Sequence, residues 1–325
     1  MILRYPGGKK RQAKFLAPVL TPCREFREPF FGSGAVTFGV LGLPNCPERV
    51  WINDLDPGIA SLWTAVIREP AALITAIEAF VPSVEAFKDF KESLLQNVPM
   101  SDVERGLQKL AVHQMSFSGL GTKAGSPIGG WTQGPENIKQ YDVGCRWNPT
   151  TLVGHVSHLH GVLAGRVREG RCTAYDALDV INAPGDDVSI YADPPYVVAG
   201  ESLYQYGYPE EALHRGLAAA LLACPHRWLL SYDDDPRVRT LYEGAPGVAV
   251  DVATWAYTIN SQKDNPGQEL LIRRGIVKPA MPVAKPVKAG GGDEDVLDEL
   301  FGSGAVFDPA GDGDDDALLA EFYRA

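Results

Sequence analysis

Apolar residues recur along this chain in two rhythms. Short apolar runs bounded by turn formers predict strands at "EFREPF" (25–30), "RVWIND" (49–54), "RCTAY" (171–175), "DVSIYA" (187–192), "RWLLSY" (227–232), "GVAVDVAT" (247–254) and "QELLIRR" (268–274). Spacings of three and four predict helices at "PGIASLWTAVI" (57–67), "SVEAFKDFKESLLQN" (83–97), "DVERGLQKLAVHQM" (102–115), "PTTLVGHVSHLHGVLAG" (149–165) and "PEEALHRGLAAALLA" (209–223). A further helix follows the Gly-rich "FGSGAV" at 31–36. Strands alternating with helices imply an α/β fold with a doubly wound, mostly parallel sheet. Residues 65–164 are largely helical and read as an insertion in that sheet. Within them, 118–148 contain seven glycines and little periodicity, which predicts a long loop without secondary structure.

Beyond residue 277 the pattern changes. "VKPAMPVAKPVKAGGGDED" is a Pro, Ala, Lys and Gly linker, and the acidic, Gly-rich residues after it cannot bury a core. Residues 278–325 are therefore expected to be a linker and a disordered tail. Their two short segments with apolar residues at helical spacing, "EDVLDELF" and "DDDALLAEFYRA", suit a protein partner.

Charge alters the picture. The net charge of −11 argues at first against a polyanionic partner, but it is unevenly placed. Residues 281–325 hold 11 acidic and 3 basic side chains, a net of −8, which leaves −3 for residues 1–280. The first 14 residues carry five basic groups and no acid. Nucleic acid thus remains compatible with the body of the chain. No apolar run of about 18 residues predicts a membrane span. The basic, Pro- and Gly-broken N-terminus is unlike a signal peptide. Five scattered cysteines without a Cys-x-x-Cys pair fit a reducing cytoplasm and no zinc site. The histidines of "GHVSHLHG" lie at offsets of three and two, a poor metal spacing.

Two stretches carry candidate chemistry. In "EPFFGSG" (28–34), Gly32 and Gly34 would turn the backbone sharply and let a ligand approach between strand and helix. Asp54 ends the next strand, where an acid can accept from both hydroxyls of a ribose. Asp56 competes with it, or caps the following helix. That pattern alone also describes a nicotinamide site or a plain turn. The second stretch is "SIYADPPY" (189–196), a strand ending in Asp193-Pro194-Pro195-Tyr196. The prolines stiffen the turn and remove two N–H donors. The Asp193 carboxylate and the Pro194 carbonyl are then two acceptors suited to an NH2 group, while Tyr196 can stack on its ring for about 1–3 kcal/mol.

With "RYPGGK" (4–9), "EPFFGSG" (28–34), "NDLD" (53–56) and "DPPY" (193–196) in this order, the chain resembles the Dam-like DNA adenine methyltransferases. The resemblance spans roughly 1–275, its middle third loosely. It implies a Rossmann-like catalytic domain at 1–64 and 165–277 and target recognition by 65–164. It also implies methyl transfer from S-adenosylmethionine to the exocyclic nitrogen of an adenine flipped out of double-stranded DNA. Tyr5 and Lys9 would contact the methionine part of the cofactor. Glu28, Phe30, Phe31, Gly32 and Gly34 would wrap it, Asp54 would take its ribose, and Asp176 its adenine, with Asp179 the neighbouring choice. Asp193, Pro194, Pro195 and Tyr196 would be catalytic, Asp193 also bordering the cofactor.

The family has Asp-Phe where this chain has Asp176-Ala177. Its Asn-Gly-Leu-aromatic-Arg stretch becomes "SGLGTK", with Ser118 for Asn and no Arg. For DNA, Lys10, Arg11, Lys123, Lys139 and Arg146 are candidate phosphate or base contacts. Trp131, Tyr141 and Trp147 are candidates for stacking, or else for packing inside the insertion. Alternative substrates are a cytosine amino group, an RNA adenine or a protein glutamine; alternative classes are a nucleotide-dependent oxidoreductase and an inactive DNA-binding protein. A second "FGSGAV" at 301–306 lacks a preceding strand and a following helix, and no cofactor role is expected for it.

Overall fold

The structure is a computed structural model that describes residues 2–3, 8–132, 142–196, 210–255 and 267–280. The expected tail beyond residue 280, the second FGSGAV, Tyr5, Lys139 and Tyr141 lie outside the described residues.

Seven strands form one sheet: β1 (Glu25–Glu28), β2 (Arg49–Asn53), β3 (Cys172–Thr173), β4 (Val188–Ala192), β5 (Arg227–Asp233), β6 (Val248–Trp255) and β7 (Gly267–Arg274). Their spatial order is β3-β2-β1-β4-β5-β7-β6. The first five run parallel, and β7 inserts antiparallel between β5 and β6. The carboxyl ends of the parallel strands therefore line one edge. From β1 the chain moves outward to β2 and β3, then returns to β4 on the other side of β1. The crevice between β1 and β4 is the switch point where ligands of open α/β sheets bind.

Burial on both faces explains the near-continuous apolar runs of the inner strands. In β4, Ile190 and Ala192 enter one core and Tyr191 the other; in β7, Leu270 and Ile272 oppose Leu271 in the same way.

The helices are α1 (Lys10–Leu20), α2 (Ala35–Leu41), α3 (Pro57–Arg68), α4 (Pro70–Ala79), α5 (Val84–Leu95), α6 (Asp102–Met115), α7 (Gly121–Ala124), α8 (Pro149–Leu163), α9 (Ala177–Asn182), α10 (Glu210–Ala223) and α11 (Pro236–Tyr242). Side-chain caps start several of them: Asp56 on α3, Ser83 on α5 and Asn148 on α8, with a reciprocal Ser101–Glu104 capping box on α6. The apolar cluster on one sheet face continues through Phe87, Leu110, Met115 and Val156, so the helices between β2 and β3 share the core of the sheet. Gly106 permits the close contact of α6 with α3, because a Cβ there would lie 2.7 Å from the Leu62 Cα.

The stretch expected to lack structure from residue 118 has some at its start. A 3-10 turn (Phe117–Gly119) and α7 are closed off by a bridge between Ser116 and Pro127. The Ser116 hydroxyl accepts the Gly121 N–H, a local bond that apolar periodicity cannot reveal. Apolar spacing in the sequence does not predict helices α1, α9 and α11; the latter two are short. Among the described residues, no single helix is long and apolar enough to cross a membrane.

Candidate active site

The Gly-rich turn follows β1. Gly34, at φ 71°, is the αL residue from which α2 starts. A Cβ there would come within 2.4 Å of the Phe31 ring. Phe31 itself is buried, its ring 5.0 Å from that of Trp63 and edge-on to it. Its ring therefore supports the turn from beneath. The Trp63 indole donates to the Gly32 carbonyl at 3.0 Å. Phe30 is half-buried against the core on the other face of the sheet.

Asp54 sits one step beyond β2. Its Oδ2 accepts the Gly32 N–H at 2.8 Å and its Oδ1 the Asp56 N–H at 3.0 Å. The carboxylate thus braces the turn. Burial, reinforced by the Asp56 charge, pushes it up to about 6. Asp56 accepts the Gly58 N–H as the cap of α3 and pairs with Lys109 at 2.5 Å. Lys109 is almost fully buried and also donates to the Thr122 hydroxyl at 2.7 Å. Asn53 joins three strand ends. Its amide donates to the Pro29 and Tyr175 carbonyls, and its oxygen accepts from the Thr173 hydroxyl and the Tyr175 N–H.

Glu28, at the end of β1, is buried and accepts both the backbone N–H and the hydroxyl of Thr37 on α2. Burial raises it to about 8, against those two bonds and with help from the Asp193 and Asp54 charges. Its visible work is to anchor α2 to the sheet. Asp176 likewise caps a helix, accepting the Leu178 N–H at the start of α9 beyond β3. Asp179 lies exposed in the first turn of that helix.

Asp193 follows β4 at the switch point. Lys9, from the turn before α1, places its ammonium 3.1 Å from Asp193 Oδ1. That oxygen is buried, and the ammonium is its charged neighbour. Burial lifts Asp193 to about 6; Lys9 pulls it down and Glu269 pushes it further up. Lys9 also donates to the Tyr196 hydroxyl at 2.5 Å and lies 3.5 Å from Glu269 Oε1. Tyr196 in turn donates to Glu269 at 2.9 Å. Burial alone would lower the Lys9 ammonium, but the two carboxylates outweigh it and raise it.

Glu269 joins this cluster, and strand periodicity does not single it out. It stands in register with Asp233, the last residue of β5, so the antiparallel β7 brings it to the same edge as the carboxyl ends of the parallel strands. An acid inside the apolar run "QELLIRR" was the only hint.

The structure thus gathers Lys9, Glu28, the Gly-rich turn, Asp54, Asp176 and the turn containing Asp193, Pro194, Pro195 and Tyr196 along one edge. The candidate DNA contacts divide. Lys123 and Arg11 are exposed, whereas Lys10 and Arg146 are half-buried. Trp131 is exposed, its ring edge-on to Phe87 at 5.8 Å. Trp147 is buried edge-on against Phe80 at 4.9 Å, which makes it a packing residue of the helical region. No cluster of His, Cys, Asp or Glu with metal-ligand geometry occurs among the described residues.

Residues 5–125 match the family described as D12 class N6 adenine-specific DNA methyltransferase. The match ends before the Asp193 turn. No curated protein matches the chain. Two solved structures of the rRNA methyltransferase aviRa from Streptomyces viridochromogenes are similar at 17% identity, covering 83% of this chain and 86% of theirs, with TM-scores of 0.35 and 0.34.

Proposed function

We propose that this chain, whose residues 5–125 match the D12 class N6 adenine-specific DNA methyltransferase family, methylates the exocyclic amino group of adenine at specific sites in double-stranded DNA. The observation that carries this reading is the Asp193 carboxylate at the switch point, its buried Oδ1 ion-paired with Lys9 and beside Tyr196.

An adenine amino group offers two N–H donors and a lone pair delocalised into the ring. Asp193, together with the Pro194 carbonyl, accepts the donors and favours a pyramidal nitrogen whose lone pair is free to attack. Tyr196 supplies an aromatic face for the base. An adenine stacked in a duplex cannot reach this turn, so it is flipped out. As the nitrogen gains its fourth bond it becomes strongly acidic and releases a proton, for which Asp193 is the nearest base. The chain contributes placement and electrostatics, and no nucleophile of its own.

S-adenosylmethionine, when bound, supplies the electrophilic methyl group. The residues present fit such a cation. Glu28, Asp54 and Asp193 are all held above the ordinary carboxyl range by burial, and each also feels another nearby carboxylate. A positive ligand relieves that crowding. Asp54 would accept from the ribose, the Gly32–Gly34 turn would let the backbone approach, and Asp176 would face the adenine.

Residues 1–64 and 165–277 would form the catalytic domain and 65–164 the target-recognition region. Exposed Phe117, Lys123 and Trp131, grouped around the Ser116–Pro127 bridge, support the second assignment. The test is transfer of labelled methyl from S-adenosylmethionine to unmethylated DNA, with RNA of the same base composition alongside, and digestion to identify the product. N6-methyladenine from DNA is expected. Label in RNA alone, in cytosine, or in neither polymer overturns the reading.

A further inference from the structure

We propose that Glu269 is a positioning residue of the transfer site: it holds the Tyr196 phenol and the Lys9 ammonium in one buried cluster and keeps the phenol hydrogen away from Asp193. The proposal rests on the methyltransferase reading of that site.

The geometry is a closed triangle. Lys9 donates to the Tyr196 oxygen at 2.5 Å, Tyr196 donates to Glu269 at 2.9 Å, and Lys9 lies 3.5 Å from the same Glu269 oxygen. Lys9 and Glu269 are both buried, at 5% exposure each. The cluster draws on three separate parts of the chain: the turn before α1, the turn after β4, and β7. Their sequence separations are 187 and 260 residues from Lys9.

The phenol has one hydrogen and two carboxylates within its reach. Its hydrogen bond, at 2.9 Å, runs to Glu269, and Asp193 lies on the other side of the shared Lys9 ammonium. Without Glu269 the hydrogen would turn to Asp193 and occupy an acceptor that the amino group of the base requires. The ring would lose its anchor at the same time. Tyr196 follows two prolines that make no N–H bonds, so its hydroxyl is the natural place to fix it. Its ring rests on Tyr232 at a centroid distance of 6.2 Å, and that contact leaves the hydroxyl direction open. The other ionisable groups facing Asp193 and Glu269 are Lys9, Glu28 and Tyr191. Tyr191 is engaged with Ser231, and Glu28 with Thr37, so neither can replace Glu269.

Wild type, Glu269→Leu, Glu269→Gln, Tyr196→Phe and the Glu269→Leu/Tyr196→Phe double variant are compared for methyl transfer to DNA, cofactor affinity and the pH profile of kcat/KM. Glu269→Leu is expected to lower kcat about thirtyfold while KM for DNA and cofactor affinity stay within about threefold. Glu269→Gln retains an acceptor for the phenol and recovers part of the loss. In the Tyr196→Phe background no phenol hydrogen competes for Asp193, and Glu269→Leu then costs less than about threefold. The acid limb of kcat/KM moves to lower pH in Glu269→Leu, because a negative charge that raised Asp193 is gone. Wild-type kcat in Glu269→Leu, or an equal loss with and without the phenol, overturns the proposal.

A carbon-13 titration of the Asp193 carboxyl in the free protein gives a decision that needs no turnover. It moves down in Glu269→Leu if the cluster acts as described, and an unmoved titration overturns it. Absence of transfer by the wild type would overturn the proposed function, and the titration would still decide the link between Glu269 and Asp193.

Discussion

Lys9 and Asp193 meet at 3.1 Å across 184 residues of chain, joining the start of α1 to the segment after β4. The pair explains how Asp193 stays usable inside a buried crevice, since Lys9 opposes the upward push of burial. Asp193→Ala should therefore abolish methyl transfer while the fold persists, because Lys9 keeps Glu269 as a partner. Purified mutant and wild type are compared for turnover on unmethylated DNA with circular dichroism as a fold check. Retention of more than about a tenth of wild-type kcat, a loss below about 1.4 kcal/mol, would contradict the assigned role.

Gly34→Asp should eliminate cofactor binding. The new side chain meets both a φ of 71° and the Phe31 ring at 2.4 Å, so the turn cannot keep its shape. Calorimetry with S-adenosylmethionine should show no binding to the full-length mutant and one site of near wild-type affinity in residues 1–280. Two sites in the full-length wild type, or lost binding in a folded truncation, would give the second FGSGAV a role.

Stability should fall as pH rises from about 4.5 to about 8, in part through Glu28. Its folded value of about 8 lies above the ordinary 4.5, so in that window the folded state holds a proton that the unfolded state has released. Glu28→Gln keeps an acceptor for Thr37 and cannot ionise. Urea unfolding at pH 5 and pH 8 should show a smaller drop for the mutant. An unchanged drop would mean that Glu28 does not titrate in this range.

Lys109→Met should destabilise by about 3–5 kcal/mol, because it leaves Asp56 charged without its partner in a largely buried site. The double variant Lys109→Met/Asp56→Asn should recover much of the loss in chemical unfolding. A double variant as unstable as the sum of the two single ones would show that the ion pair is not the cause.

Removing residues 281–325 takes away a net charge of −8 and should tighten non-specific DNA binding, most at low salt. Fluorescence anisotropy on a random duplex across a salt series measures this. Equal affinities at low salt would redirect the tail toward a protein partner.

Some of this architecture was decided by local sequence. The Gly-rich turn and the Asp-Pro-Pro-Tyr turn are contiguous, and each needs particular residues at fixed offsets for backbone reasons, so both could be read in one dimension. The inner strands were legible because a sheet covered on both faces requires unbroken apolar runs. Asp56 as a cap and Asp54 as the acid ending β2 followed from position alone.

What residues become neighbours across the fold was decided by the tertiary structure. Glu269 reaches Tyr196 because β7 runs antiparallel between β5 and β6, and a strand's direction and register are set by pairing with distant partners. Phe31 lies in a motif that invites a ligand contact, yet its ring is buried on Trp63, in space that a Cβ at position 34 would fill. Trp131 and Trp147 are alike in sequence context, and packing alone separates the exposed one from the buried one. Motif chemistry is written in short-range order; burial, pairing and charge balance arise only when segments far apart in the chain are brought together by a shared core.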